Sequence, residues 1–229
     1  MATLKKPEAS EKVEYMAKIF VVRHAESVAN TKGVYQGQTY DTGLSTLGKK
    51  QAGALARRCV SLKIGKIVSS PLKRAIETAF PAAQKCGLEV TVDQNLIETD
   101  HGGWSGKDKF WIAKNYPDLM KKWLITPSKV TFPEGEKFSE TIDRVGRYIF
   151  RTSWKGNTLL VTHDNIIRII VCFAKNIDID DMWKIPLDPG GISTFKVEGV
   201  NGTKRIKVVK LNDVSHLKDL RADLANHAL

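Results

Sequence analysis

Ile19-Phe-Val-Val-Arg-His-Ala-Glu-Ser27 opens with four apolar residues, three of them β-branched, and closes on a cluster of polar and ionisable side chains. A run that short, bounded by Lys18 and Arg23, predicts a strand buried on both faces. The arrangement recurs downstream. Lys66-Ile-Val-Ser69 leads into Ser70-Pro71, which reads as the N-cap and first helical residue of a helix over 72–79. Thr158-Leu-Leu-Val161 leads into Thr162-His-Asp-Asn165 and a helix from about residue 165. Strands alternating with helices predict an α/β fold, a mostly parallel central sheet flanked by helices.

Working outward, residues 31–43 carry several Gly among Asn, Asp and Thr and read as a loop, and 46–59 has helical spacing. Val90-Thr-Val92 is a further strand and 139–153 a further helix. The runs 192–197 and 206–211, joined around Asn201-Gly202, read as an antiparallel hairpin whose last strand is an exposed edge. Residues 100–138 hold three of the five Trp with several Pro and Gly, and predict a helical cap over one end of the sheet. The organisation expected is a loose arm over 1–17, one domain over 18–212 and a tail over 213–229.

The chain has 229 residues, 42% hydrophobic and 27% charged, with 8 Pro and 17 Gly, which excludes a disordered or collagen-like polymer. No stretch approaches the ~20 apolar residues of a membrane span; the apolar patch over 166–174 is broken by Arg168. The start, Met-Ala-Thr-Leu-Lys-Lys-Pro-Glu, lacks the apolar core of a secretory signal, so a cytoplasmic location is expected. Three cysteines, Cys59, Cys86 and Cys172, without a Cys-x-x-Cys spacing, suit reduced thiols better than a disulfide framework or a zinc site. The net charge of +11 suits an anionic partner. Its basic residues are dispersed in pairs apart from the run 204–210, so a phosphorylated small molecule is favoured over nucleic acid.

In open α/β folds ligands bind beyond the carboxyl ends of the strands. The residues there are Arg23 and His24, Ser70 with Arg74 on the following turn, Glu98, and His163 with Asp164. Each has a plainer reading: a surface dipeptide, a solvated helix charge, a loop acid, a histidine with satisfied hydrogen bonds. Their shared position at strand ends favours a common site. Two guanidiniums offer bidentate grips on phosphoryl oxygens. A neutral imidazole is a competent nucleophile at phosphorus, and a carboxylic acid can protonate a departing alkoxide. Nothing in this scheme calls for a metal or a cofactor.

Val21-Val-Arg-His-Ala-Glu-Ser-Val-Ala-Asn30 resembles the signature of the histidine phosphatase superfamily, the phosphoglycerate mutase-like family. The resemblance continues through Leu44-Ser-Thr-Leu-Gly48, Ser69-Ser-Pro-Leu-Lys-Arg74, Glu98-Thr-Asp-His-Gly-Gly-Trp104, Thr162-His-Asp-Asn165 and Gly191-Ile-Ser193, in the family's order over about residues 18–198. It implies that His24 is the nucleophile that becomes phosphohistidine and Glu98 the proton donor. Arg23, Arg74 and His163 would surround the phosphoryl oxygens, with Asn30 and Asp164 in the substrate pocket. Ala25 stands where the family mostly has Gly, and Ser105 and Lys107 follow Trp104 where an acid is more usual.

Other signals fall away. Gly43-Leu-Ser-Thr-Leu-Gly-Lys-Lys50 nearly spells a phosphate-binding loop, but Lys50 stands where the magnesium-holding hydroxyl is needed and no strand precedes it. Asp178-Ile-Asp180 lacks both the following Thr or Val and the strand that an aspartate nucleophile needs. No Cys has an Arg six residues later, which excludes a cysteine phosphatase loop. A His24–His163 pair cleaving RNA is disfavoured by two arginines around one pocket. His101, His216 and His227 read as surface residues, and Trp104 as lining the site entrance. The mutases of the family carry Glu-Arg-x-Tyr-Gly at the donor position, whereas this chain has Glu98-Thr-Asp-His-Gly, and Pro133-Glu-Gly-Glu136 also resembles the phosphatase branch. The expectation is a phosphomonoester hydrolase acting on a small phosphorylated metabolite, with a phosphoglycerate mutase as the alternative and a non-catalytic binding protein behind both. No nucleic-acid or membrane partner is expected; a homodimer stays open through the edge strand.

Overall fold

A computed structural model describes residues 13–200 and 203–224. One six-stranded sheet runs β3 (Val90–Val92), β2 (Lys66–Ser69), β4 (Asn157–Thr162), β1 (Val13–Arg23), β5 (Ile192–Val200), β6 (Thr203–Asp213). The first four are mutually parallel, and β5 and β6 are antiparallel additions beside β1. β1 begins at Val13, inside the stretch expected to be a loose arm. The Asn201-Gly202 turn lies outside the described residues, as do residues 1–12 and 225–229, with His227 among them.

Alternation along the strands divides the core into two layers. Ile19 and Val21 of β1, Leu160 of β4 and Phe195 of β5 face α6 (Phe138–Arg151) and α7 (Asp164–Lys175). Phe20, Val22, Ile67, Leu159 and Val161 face α2 (Thr46–Ser61) and α3 (Lys73–Cys86). Each fully buried aliphatic side chain contributes ~1.5–3 kcal/mol of transfer free energy, so the strand face and the helix face that meet it hold each other in register.

Register also sets the site. Arg23 pairs with Thr162 and Ser69 with Val161, so β1, β4 and β2 end level. The segments that follow, His24–Ser27, Ser70–Leu72 and His163 onward, therefore leave the sheet side by side. α2 locks the first of these. Ser45 N donates to Glu26 O at 2.9 Å, and Glu26 N donates to Gln51 Oε1 at 2.8 Å. The helix lies so close that a Cβ on Gly48 would sit 1.9 Å from Glu26 O, so this position admits only glycine.

Sequence expectations change around α3 and in the basic run. Ser70-Pro71 does not cap α3; the N-cap is Leu72, which has no capping side chain, and the helix starts at Lys73. Ser70 is instead engaged with His163, and the α3 N-terminus borrows a cap from a distant loop, Lys73 N donating to Asp41 Oδ2 at 2.6 Å. α3 also runs past Pro81 to Cys86, where Gly87 in the left-handed region (φ 66°) closes it. The basic run near 204–210 is partly spent internally: Lys204 Nζ donates to the Phe150 carbonyl at the end of α6, and Lys196 and Lys207 both pair with Glu198.

The cap is helical, with α4 (Lys109–Asn115) and α5 (Pro117–Ile125), and is filled by aromatic side chains. Trp123 meets Phe132, Phe138 and Trp183 at ring separations of 4.9–5.0 Å. Trp104 does not line an entrance: it is fully buried, edge-on to Tyr35 and Phe132. His101 is likewise interior, held edge-on by Tyr35 and Phe132, and His216 is half-buried. The three cysteines are free thiols. Among the described residues no helix is long and apolar enough to cross a membrane.

Candidate active site

At the level ends of β1, β2 and β4 a small cavity opens, walled by Arg23, His24, Asn30, Arg74, Glu98 and Asp164. Six of the seven residues singled out in the sequence thus share one cavity. The seventh, His163, is fully buried and packs against the His24 ring at 5.3 Å without lining it. Five further wall residues went unassigned in the sequence, Val34, Tyr35, Gln36, Gly37 and His101. The first four come from the glycine-rich loop, which marks an irregular segment but carries no rule for which side chains turn inward.

His24 is held from both sides. Its backbone N donates to Thr162 O at 2.8 Å, extending the β1–β4 ladder by one bond. Its Nδ1 lies 2.8 Å from Ala25 O. A carbonyl only accepts, so Nδ1 carries the proton and, in the neutral ring, Nε2 carries the lone pair.

Each arginine is tethered by a carboxylate and a carbonyl. Arg23 Nη1 donates to Leu187 O at 2.8 Å and pairs with Asp164 Oδ1 at 3.1 Å. Asp164 is itself gripped by Arg168, whose other nitrogen bonds the Met182 and Ile185 carbonyls. Arg168 is thus the buried charge that interrupts the apolar face of α7. Arg74 Nη1 donates to Asp41 Oδ1 at 3.0 Å and Nη2 to Gly37 O at 2.9 Å. In both guanidiniums Nε–H is buried without a hydrogen-bond partner in the protein. An orphaned charged donor costs several kcal/mol unless something takes it up; both arginines line the cavity, where two positive charges favour an anion.

The titratable groups are tuned to match. Burial pushes Glu98 up from 4.5 to about 7, against the pull of the Thr99 amide and of Arg74. At neutral pH it is therefore a mixture of acid and carboxylate, the state a proton shuttle needs. Burial, together with the positive charge of Arg74 and the neighbouring His24 ring, holds His163 well below its ordinary range, and His101 is pushed down to about 3 by burial and Arg74. Both imidazoles stay neutral. His163 Nε2 meets Ser70 Oγ at 2.7 Å. Asn30 is fixed by Ser27, whose backbone N donates to Oδ1 at 3.0 Å, so its amide N–H groups are left for the cavity.

The profile of the histidine phosphatase superfamily (branch 1) matches residues 19–213. The chain belongs to that superfamily. Phosphoserine phosphatase 1 of Hydrogenobacter thermophilus is 35% identical over 205 residues, 88% of this chain and 95% of that protein. Phosphoglycerate mutase-like protein 4 of Arabidopsis thaliana is 37% identical over 165 residues, 69% of this chain and 71% of that one. The solved structure of a mycobacterial glucosyl-3-phosphoglycerate phosphatase with VO3 shares the fold, with a TM-score of 0.74 at 24% identity over 86% of this chain and 98% of the other. This histidine phosphatase is accordingly an enzyme of the phosphoglycerate mutase-like type, and its mostly parallel sheet under a helical cap is the fold of that type.

Proposed function

We propose that the protein hydrolyses phosphate monoesters of small metabolites through a phosphohistidine at His24. In the first step His24 Nε2 attacks phosphorus, the ester P–O bond breaks, and Glu98 passes its proton to the departing alkoxide oxygen. In the second, Glu98, now a carboxylate, takes a proton from water as that oxygen attacks phosphorus. The P–N bond breaks, its electron pair returns to Nε2, inorganic phosphate leaves and Glu98 is an acid again. Arg23 and Arg74 grip the equatorial oxygens, where negative charge accumulates in the transition state. His163 supports the His24 ring from behind, and Asn30 completes the polar surround.

The observation that carries this reading is the pairing, in one cavity, of an imidazole whose tautomer leaves the lone pair on Nε2 with a carboxyl raised to about 7 and two arginines with unsatisfied Nε–H. The positive net charge then steers an anionic substrate rather than holding nucleic acid. β6, one edge of the sheet, is where a second copy would pair.

Phosphate release across a phosphometabolite panel tests the reading, with phosphoserine first after the relative at 35% identity. The same panel should include 3-phosphoglycerate with catalytic 2,3-bisphosphoglycerate. Phosphate release from at least one ester should outpace formation of 2-phosphoglycerate. Rapid isomerisation with negligible phosphate release would replace the hydrolase with the mutase.

A further inference from the structure

Asp41 stands outside the cavity wall, on the loop between Gly37 and Leu44, with its side chain about one-quarter exposed. Its two oxygens do separate work. Oδ2 accepts from Lys73 N at 2.6 Å, capping α3 from 32 residues away, and Oδ1 accepts from Arg74 Nη1 at 3.0 Å. With Gly37 O on Nη2, both outer nitrogens of the Arg74 fork are held by this one loop. The loop is fastened to α3 a second time, one turn on, where Leu44 N donates to Glu77 Oε2 at 2.7 Å. Arg23 is also tethered by a carboxylate and a carbonyl, Asp164 and Leu187 O, but there both meet one nitrogen, Nη1.

We propose that Asp41 is a positioning residue for the anion site: it fixes the plane of the Arg74 guanidinium and so sets where Nε–H meets the ligand. This rests on the reading of Arg74 as a grip on phosphoryl oxygens. A planar fork held at two nitrogens retains one orientation, and misplacing such a group by about 1 Å costs on the order of 10²-fold in a preorganised site. Asp41 itself does not line the cavity.

The test exploits the division of labour between the oxygens. Asparagine caps a helix as well as aspartate does, but it is uncharged and puts an NH2 in place of one oxygen, a donor facing a donor, so the two bonds to Lys73 and Arg74 cannot both stand as they do now. Binding of inorganic phosphate to the intact protein, followed by calorimetry, reads the site without turnover. Asp41→Asn should keep its circular dichroism spectrum and weaken phosphate by about 10- to 100-fold. In an Arg74→Ala background the same change should have no further effect, because the group it positions is gone. Were Asp41 only a cap, Asp41→Asn would leave both the melting temperature and the phosphate affinity nearly unchanged. Unchanged affinity in folded Asp41→Asn, or an equal loss with and without Arg74, overturns the proposal. Failure of the unaltered protein to bind phosphate overturns the hydrolase reading and this one with it.

Discussion

Glu98→Gln separates what the site does from what it costs. Glutamine keeps the size of the side chain and an oxygen for the Thr99 amide, 2.8 Å away in the native site, but it has no proton to give. If Glu98 protonates the leaving group, turnover of an alkyl phosphate should drop about 10²–10⁴-fold. The loss should be much smaller for p-nitrophenyl phosphate, whose leaving group hardly needs a proton. The same substitution should stabilise the fold, and with a defined pH dependence. A carboxyl raised from 4.5 to about 7 holds its proton more tightly folded than unfolded. Its contribution to stability is complete below pH 4.5 and is lost as pH rises through about 7. At about 1.4 kcal/mol per decade the folded state is then disfavoured by on the order of 3 kcal/mol at pH 9. Glutamine does not ionise and escapes that penalty. For a chain of this length 1 kcal/mol corresponds to about 2–4 °C in melting temperature. The variant's melting temperature, relative to the parent, should therefore climb by several degrees between pH 4.5 and pH 9. Thermal unfolding of both proteins in the two buffers decides it. A difference in melting temperature that does not change with pH would refute the burial argument; equal rate losses on the two substrates would refute the donor role.

Three other outcomes follow from the same geometry. Rapid quenching with labelled substrate should trap an acid-labile, base-stable adduct that disappears in His24→Ala; an active enzyme labelled at another residue would overturn the phosphohistidine. Activity should survive exhaustive EDTA treatment, since the arginines supply the positive charge at phosphorus; loss of activity restored by a divalent ion would contradict this. Gly48→Ala, which in an open helix gains ~1 kcal/mol, should here cost several degrees in melting temperature because its Cβ would meet Glu26 O at 1.9 Å. A neutral or higher melting temperature would show that α2 can move off the His24–Ser27 turn.

The fold was legible because its signal is local. β2 and β3 fall where their apolar runs end, and the polar residues immediately after β1, β2 and β4 mark the carboxyl edge whatever the details of packing. That alone collects Arg23, His24, Arg74, His163 and Asp164 on one side of the sheet. Chain order did the rest, since a parallel sheet with short connections brings successive strand ends together. What the sequence could not carry is contact between distant residues. Asp41 looks like one more loop acid until α3 swings its first turn against it, 32 residues on. His101 reads as a surface residue and Trp104 as lining the site entrance because polar and glycine neighbours surround them in the chain, while burial is decided by Tyr35 and Phe132, which arrive from other segments. Ser70 reads as a cap from its place before Pro71, yet its hydroxyl is claimed by His163, 93 residues later. Even the acidity of Glu98 is a tertiary property: a carboxyl's place in the chain sets only its identity, and its proton affinity is set by the water that the assembled cap and sheet exclude.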